Sequence, residues 1–137
     1  MDETINYNAL KHGSFYPECD EVAQHFNYDD FMSKIDNDRQ LFARFVAKVV
    51  PQFRDDLAEI SVHHAKGDKA ALKKTAHRFR GAALNLTCKK LALILLKIES
   101  LPDDQKIKSL IKEAQLELIQ IFSLLSDAIE NPSGGTG

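Results

Sequence analysis

The strongest constraint in this sequence is a helical period that recurs four times between residues 42 and 128. Phe42, Phe45, Val46, Val49, Phe53, Leu57, Ile60 and His64 advance mostly by three and four residues, which puts them on one stripe of one long helix. Leu72, Ala76, Phe79, Ala83 and Leu86 form a second stripe, and Leu91, Leu95 and Ile98 a third. Ile107, Leu110, Ile111, Ala114, Leu118, Ile121, Leu125 and Ala128 form the fourth. A shorter helix is expected from about Tyr28 to Ile35, with Asn27 as its N-cap. Each stripe has to be buried, and helices joined by short loops bury theirs against their neighbours. The expected fold is all-α: an antiparallel up-down four-helix bundle with a short additional N-terminal helix.

Punctuation agrees with those limits. Gly67 followed by Asp68 reads as a helix C-cap and then the N-cap of the next helix. Pro102, Asp103 and Asp104 mark another start, because acids favour the first turn, and Pro132 closes the last helix. Pro51 falls inside the first long stripe and should kink that helix or split it near Val50, since it lacks a donor and crowds the preceding turn. The organisation expected is a tail or linker over residues 1–25, a bundle over 26–130 and a flexible tail over 131–137.

Bulk properties narrow the classes. A chain of 137 residues, 44% hydrophobic and 28% charged, can bury a core without staples. A formal charge of -2 gives no whole-chain case for nucleic acid or an anionic membrane as partner. Cys19 and Cys88 have no CxxC or Cys/His ligand spacing, so a disulfide framework is not expected and a reducing, cytoplasmic setting is. No basic n-region precedes an apolar run at Met1–Leu10, and Leu91–Leu96 is too short to span a bilayer. Adjacent His63 and His64 point about 100° apart on a helix, which does not suit one metal, so no metal site is expected. His64 falls on the apolar stripe as a half-buried residue.

The informative stretch is Thr75-Ala76-His77-Arg78-Phe79-Arg80-Gly81-Ala82-Ala83. If Ala76, Phe79 and Ala83 face the core, His77 stands on the flank, open to solvent. Four residues on lies Gly81, which costs a helix about 1 kcal/mol relative to alanine. It provides either clearance beside the imidazole or close packing of two helices. Lys73, Lys74 and Arg80 neighbour His77 at i-4, i-3 and i+3, forming either a cationic rim suited to a phosphoryl group or an ordinary solvated face. His77 and Glu99 each lie eleven residues from Cys88, roughly 16 Å along each helix from the expected turn. In a hairpin they come level, so Glu99 can fix one ring nitrogen and leave the other to attack phosphorus; otherwise it is a solvated helix-end acid.

These residues resemble the histidine-containing phosphotransfer (HPt) family, whose signature is Ala-His, two variable residues, Lys, Gly and then small residues. Ala76-His77-Arg78-Phe79-Arg80-Gly81-Ala82-Ala83 matches it in register, and the Gly67-Asp68 turn and the Phe31–Phe45 stretch with Asp38 and Leu41 are also similar. The resemblance covers roughly Phe26 to Glu130. It implies that His77 is the phosphoacceptor, that Arg80 stands in place of the lysine that helps hold the phosphoryl oxygens, that Gly81 opens access, and that Glu99 sits near the imidazole. Two departures stand out. Arg80 is a planar fork where lysine is a point donor, and Thr87 falls where many relatives have glycine.

The function so implied is a carrier in a two-component phosphorelay, a monomer without independent catalytic machinery or bound cofactor. His77 would take a phosphoryl group from a receiver-domain aspartate and pass it to another receiver, with Mg²⁺ expected on that partner. Partners would be receiver domains of response regulators or hybrid sensor kinases. Phe31, Met32, Ile35 and Leu84 are candidates for an apolar docking patch, with core packing the expectation for at least two of them, and Lys73 and Lys74 would flank it. One rival is an HPt-like bundle that only docks a receiver or kinase, and the presence of His77 argues against it. Another is an enzyme using His77 as a base, which lacks a nearby nucleophile pattern or an obvious substrate cleft.

Overall fold

The apolar stripes become helices in the structure, a computed structural model that describes residues 22–130. Among these residues there is no strand. Residues 22–25 are helical and lead into α1 (Tyr28–Lys34), α2 (Arg39–Lys66), α3 (Lys69–Asn85), α4 (Lys89–Glu99) and α5 (Asp104–Glu130). Of the tail expected over residues 1–25, residues 22–25 are thus helical and 1–21, with His12 and Cys19, lie outside the described residues, as does the tail expected over 131–137.

Side-chain caps set four of the five helix starts, and Cys88 at the start of α4 makes no such bond. Asn27, Asp38 and Asp68 cap α1, α2 and α3 by accepting from the backbone N–H groups of Asp30, Leu41 and Ala71. Asp103 does the same for α5 through Lys106 N–H at 2.9 Å. Gly67 ends α2 in the left-handed region at φ 70°, where glycine has no Cβ to clash. Pro51 does not split α2, which runs unbroken through it. Its ring faces solvent, while Val46 and Phe53 on either side are buried, so packing of the stripe outweighs one lost backbone bond.

Packing closes a ring of neighbours. α2 lies against α3, α3 against α4, α4 against α5, and α5 returns to α2. Each stripe faces inward: Phe42, Phe53 and Ile60 from α2, Leu72 and Phe79 from α3, Leu91, Leu95 and Ile98 from α4, and Ile107 and Ile121 from α5 are fully enclosed. Side chains of this size contribute about 1.5–3 kcal/mol each when buried. Phe53 and Phe79 meet with ring centroids 5.1 Å apart, joining α2 to α3 at the level of the Ala76-His77 segment. No helix among the described residues is long and apolar enough to cross a membrane.

At one end, Phe26 and Phe31 pack on Phe42. This corrects the docking expectation for Phe31 and Met32, which are buried at 4% and 2% exposure. In a helix of only seven residues the sequence shows no sustained period, and here the aromatic cluster settles which side turns inward. Ile35 is half-buried against the same core.

Candidate functional site

His77 occupies the outward side of α3 because Ala76, Phe79 and Ala83 take the inward side. Its side chain is 66% exposed. Across the link Leu86–Cys88, the last turn of α4 brings Glu99 to it: His77 Nδ1 lies 2.7 Å from Glu99 Oε2. The other carboxylate oxygen of Glu99 accepts from Arg80 Nε at 3.0 Å. Glu99, at 14% exposure, thus bridges His77 and Arg80 and ties α3 to α4.

The protonation of this bridge follows from chemistry. Burial alone would push the Glu99 carboxyl up, but the hydrogen bonds from His77 and Arg80 hold it below the usual glutamate value. An ionised carboxylate can only accept, so His77 Nδ1 carries the hydrogen and donates it. A ring whose one proton sits on Nδ1 has its free lone pair on Nε2. Arg80 Nη2 stands 3.2 Å from the same Nδ1. Neither atom has a lone pair left to accept, so this is close approach of cation and ring rather than a hydrogen bond.

Gly81 faces outward one turn beyond His77, and a Cβ built there would meet nothing within 4 Å. Close helix packing therefore does not account for this glycine. The surface it leaves bare borders the imidazole. Lys73 and Lys74 are exposed one turn before His77, and Leu84 is exposed two turns after it. Of the residues singled out from the sequence, His77, Arg80, Gly81, Glu99, Lys73, Lys74 and Leu84 share one side of the α3–α4 pair. Phe31 and Met32 do not join them.

Several features were not expected from the sequence. On the other flank of α3, Arg78 Nη2 donates to Asp56 Oδ1 at 2.9 Å and to Glu59 Oε1 at 3.2 Å, and Thr75 Oγ1 donates to Glu59 at 3.0 Å. Asp56 is buried on α2 and also receives Gln52 Nε2. These contacts join residues sixteen to twenty-two positions apart and follow no local period. Thr87 does more than end α3: it is buried in the left-handed region at φ 63°. Its hydroxyl accepts from Asn27 N–H and reaches Asn27 O, both at 3.1 Å. Farther off, His25 Nδ1 lies 2.6 Å from the buried Glu117 carboxylate of α5.

Other nucleophile and ligand candidates do not converge on the site. Burial pushes the Cys88 thiol far up, which keeps it protonated and inert. His63 and His64 are half-buried beside Glu59 and Asp104, each at 3.8 Å. Among the described residues no group of three His, Cys, Asp or Glu side chains gathers as a metal site. Comparison of the chain with family models, with curated proteins and with solved structures gives no match.

Proposed function

We propose that this chain is a cytoplasmic histidine-containing phosphotransfer protein that accepts a phosphoryl group on His77 Nε2 from a receiver aspartate and passes it to another receiver. The observation that carries the reading is the exposed imidazole whose Nδ1 is bound to a largely buried carboxylate, with bare surface at Gly81 beside it. The architecture proposed with it is an antiparallel up-down four-helix bundle with α1 across one end. The closed ring of helix contacts and the two- to four-residue links between α2, α3, α4 and α5 support that arrangement.

The chemistry asks little of such a carrier. The Nε2 lone pair attacks the phosphorus of the aspartyl phosphate, the bond from phosphorus to the aspartate oxygen breaks, and the carboxylate leaves with its electron pair. The ring becomes a cationic N-phosphoryl imidazolium, and the Glu99 carboxylate at Nδ1–H stabilises that charge as it forms. Arg80 keeps terminal N–H groups beside the ring for the phosphoryl oxygens while its Nε stays on Glu99. Mg²⁺ on the receiver supplies the remaining charge screening. Return transfer is the same sequence in reverse.

Transfer from phosphorylated receiver domains to wild type and to His77→Gln tests the proposal. Acid-labile, base-stable label on wild type alone is the expected result. No label on wild type from a panel of receivers would leave a bundle that only binds, and label on the variant would move the site to another residue.

A further inference from the structure

The formal charge of -2 conceals a strong separation. Residues 68–99, which hold α3 and α4, carry eight Lys and Arg against Asp68 and Glu99 alone, a net +6. The other 105 residues carry ten against eighteen, a net -8. Both acids of the basic segment are already engaged: Asp68 caps α3, and Glu99 holds His77 and Arg80.

Arg78 of this segment turns to the other flank, onto Asp56 and Glu59, while the outward face that holds Lys73, Lys74 and Lys89 has an apolar centre. On α4, Lys89, Leu93 and Leu96 recur at four and three residues and point away from the buried stripe of Leu91, Leu95 and Ile98. Leu93 and Leu96 are 58% and 45% exposed, and Leu84 on α3 is 46% exposed. The His77–Glu99 contact fixes the register between the two helices. Leu84, seven residues after His77, comes level with Ala92, seven before Glu99; Leu96, three before Glu99, comes level with Arg80, three after His77. The three leucines therefore lie over one stretch of the α3–α4 surface beside Gly81, with Lys73, Lys74 and Lys89 around them.

We infer that this α3–α4 face, rather than α1, seats a folded protein domain with an apolar patch rimmed by acidic side chains. An apolar centre inside a charged rim is the anatomy of a protein interface. Phosphate backbones reward the lysines but not half-exposed leucines, and Lys73, Lys74 and Lys89 on this face favour an acidic partner and speed its approach. Resting on the proposed function, the inference identifies that domain as the receiver and places its phosphoaspartate over His77.

The test separates docking from phosphoacceptor chemistry with two donors. Phosphoramidate is a small donor: Nε2 attacks its phosphorus, the phosphorus–nitrogen bond breaks and ammonia leaves, with no domain to dock. Leu93→Glu and Leu96→Glu are expected to slow transfer from a phosphorylated receiver domain by about tenfold or more, with phosphoramidate labelling at the wild-type rate. Ile119→Glu, at an exposed leucine-sized position on α5, should change neither. Wild-type receiver transfer in both leucine variants would overturn the docking face and leave the carrier reading standing. Phosphoramidate labelling of wild type with no transfer from any receiver would overturn the carrier reading, and the receiver as partner with it. Binding to phosphatidylserine vesicles or duplex DNA that both variants abolish, with receiver transfer intact, would also overturn the inference.

Discussion

At position 81 a glycine stands on the exposed side of α3, where an alanine methyl group would touch nothing within 4 Å. Stability alone would favour alanine there, by about 1 kcal/mol. Gly81→Ala is therefore expected to raise the midpoint of chemical denaturation while slowing transfer from a receiver, because the methyl group projects beside His77. A variant that is more stable and transfers at the wild-type rate would remove the clearance role. His77 itself was legible in the sequence, since one residue past an inward Ala76 has to lie on the flank of the helix. Its link to Glu99 was legible as well, from equal spacing about the turn. The bridge onward to Arg80 was not, because the reach of a guanidinium across two helices leaves no trace in spacing.

Between elements, α3 is gripped on both flanks. Glu99 holds it to α4 through His77 and Arg80, and Asp56 and Glu59 hold it to α2 through Arg78 and Thr75. Arg78→Ala leaves the buried Asp56 carboxylate with Gln52 as its remaining side-chain donor, so a loss of about 1–3 kcal/mol is expected in denaturant unfolding. Arg78→Lys should recover part of it, and no loss in Arg78→Ala would show that the tie is solvated rather than structural. The stripes of the four long helices, the Gly67–Asp68 caps and the start of α5 at Asp103 could be read from sequence because period and capping are local. The side of α1 that turns inward could not, since its aromatic partners come from α2. Pro51 misled for a related reason. Its local cost is real, but the buried residues on either side keep α2 continuous.

For the whole molecule, carboxylates that donors hold in the ionised form make acid the destabilising direction. Glu99 is lowered by His77 and Arg80 against the pull of burial, and Glu59 by Thr75 and then Arg78. A carboxyl depressed on folding contributes stability that is present above its unfolded value and lost as pH falls through its folded one. Thermal unfolding should therefore hold level toward neutral pH and fall below the ordinary glutamate value of 4.5. Glu99→Gln should make that acid slope shallower. Glu59 is half exposed, so solvent screens its share. An acid slope unchanged in Glu99→Gln would mean that the bridge contributes nothing to folding. Charge is also separated along the chain, between residues 68–99 and the rest. That separation is present in the sequence, but only the fold shows that the segment's leucines and lysines share a surface.

With Nδ1 of His77 occupied by Glu99, Nε2 is the nitrogen proposed to take the phosphoryl group. The most direct measurement is ¹⁵N–³¹P coupling in ¹⁵N-labelled protein phosphorylated by a receiver domain. A single phosphohistidine at residue 77, coupled through Nε2 with Nδ1 still protonated, is the predicted result. Coupling through Nδ1, or a phosphoryl group on any other residue, would contradict it.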